Sequence, residues 1–238
     1  MKYTYLLINF FTILLPLVWS FESKLKFYSK WQFCFPAIVI TALFFLVWDY
    51  FKTLYGVWGF NPKYITGIKV GNLPVEEILF FITVPYACIF IYESVGFYLK
   101  RHLFILSNKN LVFVISASFF VLSFLAWGRV YTWSVLFLTA FILPILFYVL
   151  KGQQLTLFLL SYCISLLPML VVNGILTSLP VVIYDDMQNL GIRLGTIPVE
   201  DFLYCFILLA MNIALYQSFA TRIPSQKLEK LSAGADIF

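Results

Sequence analysis

The sequence has very little charge and few groups that bind metals or cofactors. Only 11% of its 238 residues are Asp, Glu, Lys or Arg, there is one histidine, and no Gly-x-Gly-x-x-Gly motif is present. The four cysteines, Cys34, Cys88, Cys163 and Cys205, are far apart and form no metal or redox motif with His102. We therefore expect no dinucleotide site, no metal centre and no cofactor.

Hydrophobic residues dominate instead, at 62% of the chain. Uncharged runs reach the length of about 20 residues that the hydrocarbon core of a bilayer requires. Lipid cannot satisfy open backbone groups, and the alternation typical of membrane strands is missing, so we predict an all-α integral membrane protein. We expect seven spanning helices at residues 3–21, 31–48, 78–99, 111–128, 130–150, 155 to about 182, and 202–221. The sixth is the least regular, because Asn173, Gly174 and Pro180 interrupt it.

The distribution of basic residues predicts an orientation. With seven crossings, ten of the sixteen lysines and arginines fall on one face of the membrane and six on the other. Because basic loops favour the cytoplasm, we expect a multi-pass protein of a bacterial-type cell membrane with its amino terminus outside and its carboxyl terminus cytoplasmic. The net charge of +5 then reflects orientation rather than nucleic-acid binding. We expect the Lys100-Arg101-His102 stretch to be solvated and the polar tail 222–238 to be disordered.

One segment occurs twice. Residues 67–81, GIKVGNLPVEEILFF, return at residues 191–205 as GIRLGTIPVEDFLYC, with seven identities. Such a repeat in a membrane chain indicates duplicated helical units with a shared site between them. Because three predicted helices precede the fourth and three follow it, the two repeats are parallel. We predict a first repeat at 1–99, a linker transmembrane helix at 100–129, a second repeat at 130–221, and the tail at 222–238.

Each copy carries two adjacent acids where a loop meets an apolar helix. A pseudo-twofold axis along the membrane normal would bring Glu76, Glu77, Glu200 and Asp201 to one depth, and ionisable groups there are costly unless they are functional. A Glu early in a helix also often caps backbone amides, and Glu76 and Glu200 fit that role. Adjacent helical residues point about 100° apart, so one member of each pair should face the site and the other a loop.

Two further acids lie at membrane ends of the second and third segments. Asp49 and Glu93 are expected either to support the site or to form structural pairs, Asp49 with Lys52. Aromatic residues, at 20% of the chain, also cluster beside the motifs and attract cations through their ring faces, although such residues fill interfaces and helix packing as well. Those beside the motifs are Trp48, Tyr50, Trp58, Phe80, Phe81, Tyr92, Tyr184 and Tyr204.

A series of short signatures resembles a known family. The first half carries Trp48-Asp49, Gly56-Val57-Trp58, Phe60-Asn61-Pro62, Leu73-Pro74-Val75-Glu76-Glu77 and Tyr92-Glu93. The second half carries Leu179-Pro180, Tyr184, Gly191, Arg193, Ile197-Pro198, Glu200-Asp201 and Tyr204. In this order they resemble the lycopene cyclase domain of heterodimeric bacterial and fused archaeal and fungal carotenoid cyclases. The resemblance covers about residues 3–220, as if the two subunits were fused through the fourth helix.

This resemblance implies an isomerase, formally an intramolecular lyase, of carotenoid biosynthesis. A non-redox lycopene β-cyclase would take lycopene or a related carotenoid from the bilayer and close β-ionone rings at its ends, giving β-carotene. A carboxylic acid protonates a terminal alkene, the neighbouring double bond attacks the cation, and a base removes a ring proton. An alkene is a poor base, so the donor must be kept neutral in a dry site, as burial beside a like charge achieves. The carboxyls expected to serve are Glu76, Glu77, Glu200, Asp201, Asp49 and Glu93.

Other functions stay open on the residues alone. An intramembrane prenyltransferase could use Tyr184-Asp185-Asp186 as the start of an aspartate-rich magnesium site, although the run lacks a further aspartate and is also typical of a solvated loop. A proton-coupled transporter would also use intramembrane carboxylates and repeated halves. A retinal-binding receptor is disfavoured, because segment 202–221 has no lysine. The residues leave open a β or ε ring, the length of the carotenoid, cyclisation of one or both ends, and the oligomeric state.

Overall fold

The computed structural model describes residues 1–99 and 108–221, and seven α-helices make up most of this part of the chain. In chain order they are α1 (Thr4–Trp19), α2 (Trp31–Leu54), α3 (Val75–Leu99), α4 (Lys109–Leu125), α5 (Val130–Val149), α6 (Gln153–Ser178) and α7 (Glu200–Thr221), and a 3₁₀ turn, Phe27–Lys30, precedes α2. The all-α prediction is confirmed. The predicted tail and the Lys100-Arg101-His102 stretch lie outside the described residues.

Five of these helices, α2, α3, α5, α6 and α7, are long and apolar enough to cross a membrane. Their outward side chains are apolar, with Leu43 and Leu167 more than half exposed. The chain is therefore a multi-pass membrane protein. Helices α1 and α4 are apolar but shorter, at 16 and 17 residues, so the expectation of seven crossings stays a prediction.

The second helix extends further than its hydropathy predicts. We expected it to stop at Trp48, yet α2 continues to Leu54 and carries Asp49 and Lys52 inside the protein. A hydropathy criterion ends a segment at the first charge, whereas a charged side chain with partners in the protein interior continues the helix. The sixth helix ends at Ser178, two residues before Pro180, with Asn173 and Gly174 inside it.

The loops before α3 and α7 contain six short strands, which hydropathy did not reveal. β2 (Lys69–Val70) and β3 (Leu73–Pro74) form one hairpin, and β5 (Arg193–Leu194) and β6 (Ile197–Pro198) form its counterpart. The two-residue turns start at Gly71 and Gly195, whose φ angles of 62° and 63° suit glycine. The third pair, β1 (Trp58–Phe60) and β4 (Val182–Tyr184), joins the two halves in antiparallel fashion.

Equivalent residues of the two repeats occupy equivalent positions about a pseudo-twofold axis. Gly59 pairs directly with Ile183, its counterpart in the other repeat. On either side of this pair, the Asn61 N–H donates to Val181 O and the Asp185 N–H to Val57 O, both at 3.0 Å. The prediction of two parallel repeats is confirmed, while the exact domain boundaries stay a prediction.

The repeats are interleaved rather than side by side. Helix α2 of the first repeat packs against α7 of the second, and α3 of the first packs against α6 of the second. Within each repeat the first helix packs on the last, α1 on α3 and α5 on α7, and α4 covers α5. Both acidic motifs consequently lie at the centre of the bundle, at the end that carries the β1–β4 pair.

Candidate active site

A cavity of about 50 Å³ lies between the two repeats below the β1–β4 pair. Three carboxyls reach it, those of Asp49, Glu77 and Asp201, and each is at least nine-tenths buried. The rest of the wall is mostly aromatic and apolar: Tyr5, Trp58, Phe60, Phe80, Tyr131, Asn173, Leu176, Thr177, Val182, Tyr184 and Tyr204. One acid of each motif, Glu77 in the first and Asp201 in the second, therefore faces the shared cavity.

In the first repeat, two of these carboxyls form a pair. Asp49, on α2, and Glu77, in the first turn of α3, lie next to each other in the wall of this cavity. Two ionised carboxylates repel each other when they are buried close together, so this arrangement favours a proton on one of them. Tyr5 donates to Glu77 Oε2 at 2.5 Å, and Tyr204 donates to Asp49 Oδ1 at 2.7 Å. The first repeat therefore contributes two neighbouring carboxyls, each with a tyrosine donor, to a buried site.

In the second repeat a single carboxyl is surrounded by donors. Asp201 Oδ1 accepts from Tyr131 at 2.6 Å, and Oδ2 accepts from Tyr184 and from Asn173 Nδ2, both at 3.1 Å. Three donors favour the ionised form of a buried carboxyl. Asn173 stands 124 positions after Asp49 and is its counterpart in the repeat. The substitution of an amide for an acid thus gives the two halves different chemistry.

The remaining motif acids hold loops in place. Glu76 Oε1 accepts the Thr66 N–H at 2.6 Å, and Glu200 Oε1 accepts the Leu190 N–H at 2.8 Å, so each glutamate ties the loop ten residues before it to the helix start. Neither lines the cavity, and the other oxygen of each is buried without a hydrogen-bond partner among the residues that the structure describes. As expected for adjacent helical residues, the second acid of each motif faces the cavity and the first faces a loop.

Glu93 lies at the other end of α3, away from the cavity. It forms an ion pair with Lys30 and accepts a hydrogen bond from Tyr216 at 2.7 Å. Of the two alternatives for this residue, structural pairing describes its contacts. Its predicted part in the site has no geometric support here.

Lys52 is buried but does not make the expected pair with Asp49 among the described contacts. Its ammonium group donates to Val130 O at 2.8 Å and to Ser134 Oγ. It also lies 5.5 Å from the ring centre of Trp48. Lys52 therefore links α2 to the start of α5.

Sequence reasoning missed Tyr5, Tyr131 and Asn173. Tyr5 and Tyr131 begin the first helix of each repeat and donate to the cavity carboxyl of their own repeat. The two tyrosines lie 126 positions apart (131 − 5), whereas the acidic motifs lie 124 apart, so the motif spacing did not reveal them. Tyr184 and Tyr204, which the sequence did single out, are both at the cavity.

The Tyr184-Asp185-Asp186 loop forms local contacts. Asp185 Oδ1 accepts the Met187 N–H at 2.9 Å, and Asp186 forms an ion pair with Arg193. The hydrogen bond from Arg193 lowers the pKa of the Asp186 carboxyl below its usual value. Among the described residues, no three His, Cys, Asp or Glu side chains are arranged around a common metal position. These contacts are those of a solvated loop.

Comparison with known proteins gives one result. A family model described as lycopene cyclase matches residues 2–95 and 128–219, which cover most of both repeats and leave out the whole of α4. No curated protein and no solved structure matches the chain significantly.

Proposed function

The chain belongs to the lycopene cyclase family, and from this premise we propose that its central cavity closes β-ionone rings at the ends of lycopene. The observation that carries the proposal is the meeting of three buried carboxyls from both repeats in one cavity, two of them next to each other. A membrane-embedded carotenoid cyclase has a hydrocarbon substrate, and a mostly apolar wall with few acids is the environment that such a substrate requires.

The Asp49–Glu77 pair acts as the proton donor in this proposal. It protonates the terminal carbon–carbon double bond of lycopene and leaves a tertiary cation. The neighbouring double bond attacks the cation, which forms the six-membered ring and moves the positive charge to a ring carbon. The pair, now fully ionised, takes a proton from the adjacent ring carbon and returns to its starting state. No atom is gained or lost, so the net reaction is an isomerisation.

Asp201 has a different part. Its carboxylate, ionised and fixed by Tyr131, Tyr184 and Asn173, provides a negative charge across the cavity from the donor pair. Preorganised charge stabilises a cation that develops in a water-poor site. The faces of Trp58 and Tyr204 add to this stabilisation. Glu76 and Glu200 act indirectly by holding the loops that cover the cavity.

The proposal includes the finer features of the protein. Both ends of lycopene are cyclised in two turnovers, which gives β-carotene. The two halves correspond to two cyclase domains in one chain, at residues 1–99 and 130–221. The basic residues support an outer location of the acidic motifs and a cytoplasmic carboxyl terminus.

The test is expression in a bacterium that accumulates lycopene, followed by pigment analysis. We expect yellow-orange bicyclic product from the parent and red lycopene from Glu77→Gln and from Asp201→Asn, with losses of at least about 100-fold, as for removal of a general acid or of a preorganised charge. Glu93→Gln is the matched control, because Glu93 is a helix carboxyl outside the cavity. Unchanged lycopene with the parent would contradict the function, and full activity of both cavity variants would contradict the assignment of the acids.

A further inference from the structure

A second cavity opens from the candidate site into the membrane region. It has a volume of about 60 Å³ and shares four wall residues with the site, Phe80, Asn173, Asp201 and Tyr204. It runs between α3, α6 and α7 past apolar side chains that include Val84, Met169, Val172, Cys205 and Leu208. Its rim includes Pro168, which is exposed, and Thr12 and Ala87, which are half-buried. This apolar slot therefore lies between Asp201 and the lipid-facing surface between α1 and α6.

The symmetry-related position in the other half is filled with rings. The counterparts of Met169, Val172 and Cys205, each 124 positions earlier, are Phe45, Trp48 and Phe81. The ring of Phe45 lies 5.1 Å from that of Tyr204 and 5.6 Å from that of Phe81, and the ring of Trp48 stacks on Tyr204 at 5.1 Å. Phe45 and Phe81 are fully buried. The repeat has therefore kept two equivalent positions, of which the first-half one is closed by aromatic packing.

We propose that the open slot between α3, α6 and α7 binds the linear polyene chain and is the lateral entrance for the substrate, while the Phe45–Trp48–Phe81 cluster closes the equivalent route. This inference rests on the proposed cyclase function and adds which side of the site receives the substrate. A polyene is a thin apolar rod, and the slot offers it apolar side chains and no charge until Asp201. The small volume means that the slot widens around the chain, for which Met169, with its flexible unbranched side chain, is well suited.

One open slot has a kinetic consequence. The two ends of a carotenoid point in opposite directions along a rod, so the second end reaches the acids only after the monocyclic product has left the slot and turned round. The monocyclic product is therefore released to the membrane between turnovers. In a pulse of labelled lycopene followed by an excess of unlabelled lycopene, label should accumulate in the monocyclic product before it reaches the bicyclic one.

The mutational test introduces, at two positions in the slot, the aromatic residue found at the equivalent position of the first repeat. Val172→Trp and Cys205→Phe each fill it with the side chain that closes the other half, and we expect each to lower kcat/KM for lycopene at least about tenfold. Val171→Trp and Cys163→Phe are the matched controls, because both positions are exposed on the same membrane face of α6. The controls should keep the activity of the parent. Retention of lycopene by the detergent-purified protein, measured from absorbance, is the second readout and should fall with kcat/KM.

The outcomes separate this inference from the proposed function. If the parent cyclises lycopene but both filled variants are as active as their controls, the slot is overturned and the cyclase function remains. The same conclusion follows if the parent cyclises lycopene without releasing the monocyclic product. If the parent does not cyclise lycopene but retains it, and the filled variants retain less than their controls, the cyclase function is overturned and the binding slot remains supported. A parent that retains no lycopene overturns the slot in either case. Two independent filled positions protect the test against one variant that fails to fold.

Discussion

At the scale of the residue, one difference between the halves sets their roles. Asp49 and Asn173 occupy equivalent positions on α2 and α6, and each contacts the cavity acid of its own repeat. A carboxyl at this position lies against Glu77, where like charges favour a proton on one of the two, whereas an amide donates to Asp201 and favours its ionised form. In the proposed mechanism, this difference between equivalent positions separates the acid from the counter-charge.

This difference leads to a pair of opposite substitutions. Asp49→Asn removes one carboxyl of the proposed donor pair, and we expect cyclisation to fall at least about 100-fold. Asn173→Asp removes one donor from Asp201 and brings a like charge beside it, and we expect a fall of roughly tenfold. Initial rates of ring formation in isolated membranes measure both, with protein amount checked by immunoblot. Equal loss in the two variants would contradict distinct roles for the two halves.

Substitution of the exposed Asp186 distinguishes the proposed cyclase from a magnesium-dependent prenyltransferase. Asp186 is exposed and its contacts are with Arg193 and the loop itself, so Asp186→Asn should leave cyclisation within about twofold of the parent and change stability by less than about 0.5 kcal/mol. A prenyltransferase that held magnesium through this run would lose its activity. Pigment analysis of this variant, with magnesium chelated in a parallel sample, decides between them.

The sequence predicted two of the acids that meet at the cavity better than it predicted their surroundings. The repeated acid pairs identified Glu77 and Asp201, because a repeat at the start of an apolar helix is visible without coordinates. The helical periodicity also predicted that only one acid of each pair faces the site. The periodicity could not say which acid of each pair faces the cavity, because this depends on the residue at which each helix begins. Asn173 looked like an interruption of a helix, since its role exists only through contact with α7.

At the scale of the element, the β2–β3 and β5–β6 hairpins have the same kind of tight turn but differ in what packs against it. Gly71 and Gly195 have nearly the same positive φ, but a Cβ at Gly71 would lie 3.0 Å from Tyr50 Cε2, whereas a Cβ at Gly195 meets nothing within 4 Å. The carbonyl of Tyr50 is held in turn by Asn72 Nδ2 at 2.9 Å. The first hairpin is therefore fitted against α2, and the second is free of such a contact at this position.

These turns give a matched comparison. Gly195→Ala should lower the free energy of unfolding by about 1 kcal/mol, the cost of a left-handed conformation for a residue with a Cβ. Gly71→Ala should lower it by about 1 kcal/mol more, because Tyr50 must also move. Thermal unfolding midpoints of the two variants in the same detergent test the order. A Gly195 variant less stable than the Gly71 variant would show that the contact with Tyr50 does not matter.

The helices were predictable from hydropathy because lipid enforces long apolar runs, and their number and order agree with the sequence. Their ends were less predictable. Helix α2 continues past the first charge because Asp49 and Lys52 find partners on α7 and α5, which a local pattern does not contain. The six short strands escaped prediction for a similar reason, since β1 and β4 are three-residue segments that pair with each other across the repeat.

At the scale of the whole molecule, the cavity belongs to neither repeat alone. Glu77 of the first repeat and Asp201 of the second face the same space, and Tyr204 of the second repeat donates to Asp49 of the first. The contacts that hold the halves together, α2 with α7, α3 with α6 and β1 with β4, do not pass through α4. The cavity therefore depends on the interleaved packing of the repeats rather than on the segment that connects them.

A chain cut between residues 99 and 108 tests this dependence. When both pieces are produced together in a lycopene-accumulating bacterium, we expect them to co-purify and to form cyclic pigment, because every contact across the cavity is kept. Either piece alone should leave red lycopene, since it lacks Asp201 or lacks the Asp49–Glu77 pair. Co-production with a Glu77→Gln first piece is the control for assembly without chemistry. Cyclic pigment from one piece alone would show that a single repeat is sufficient, and the shared cavity would then be no part of the mechanism.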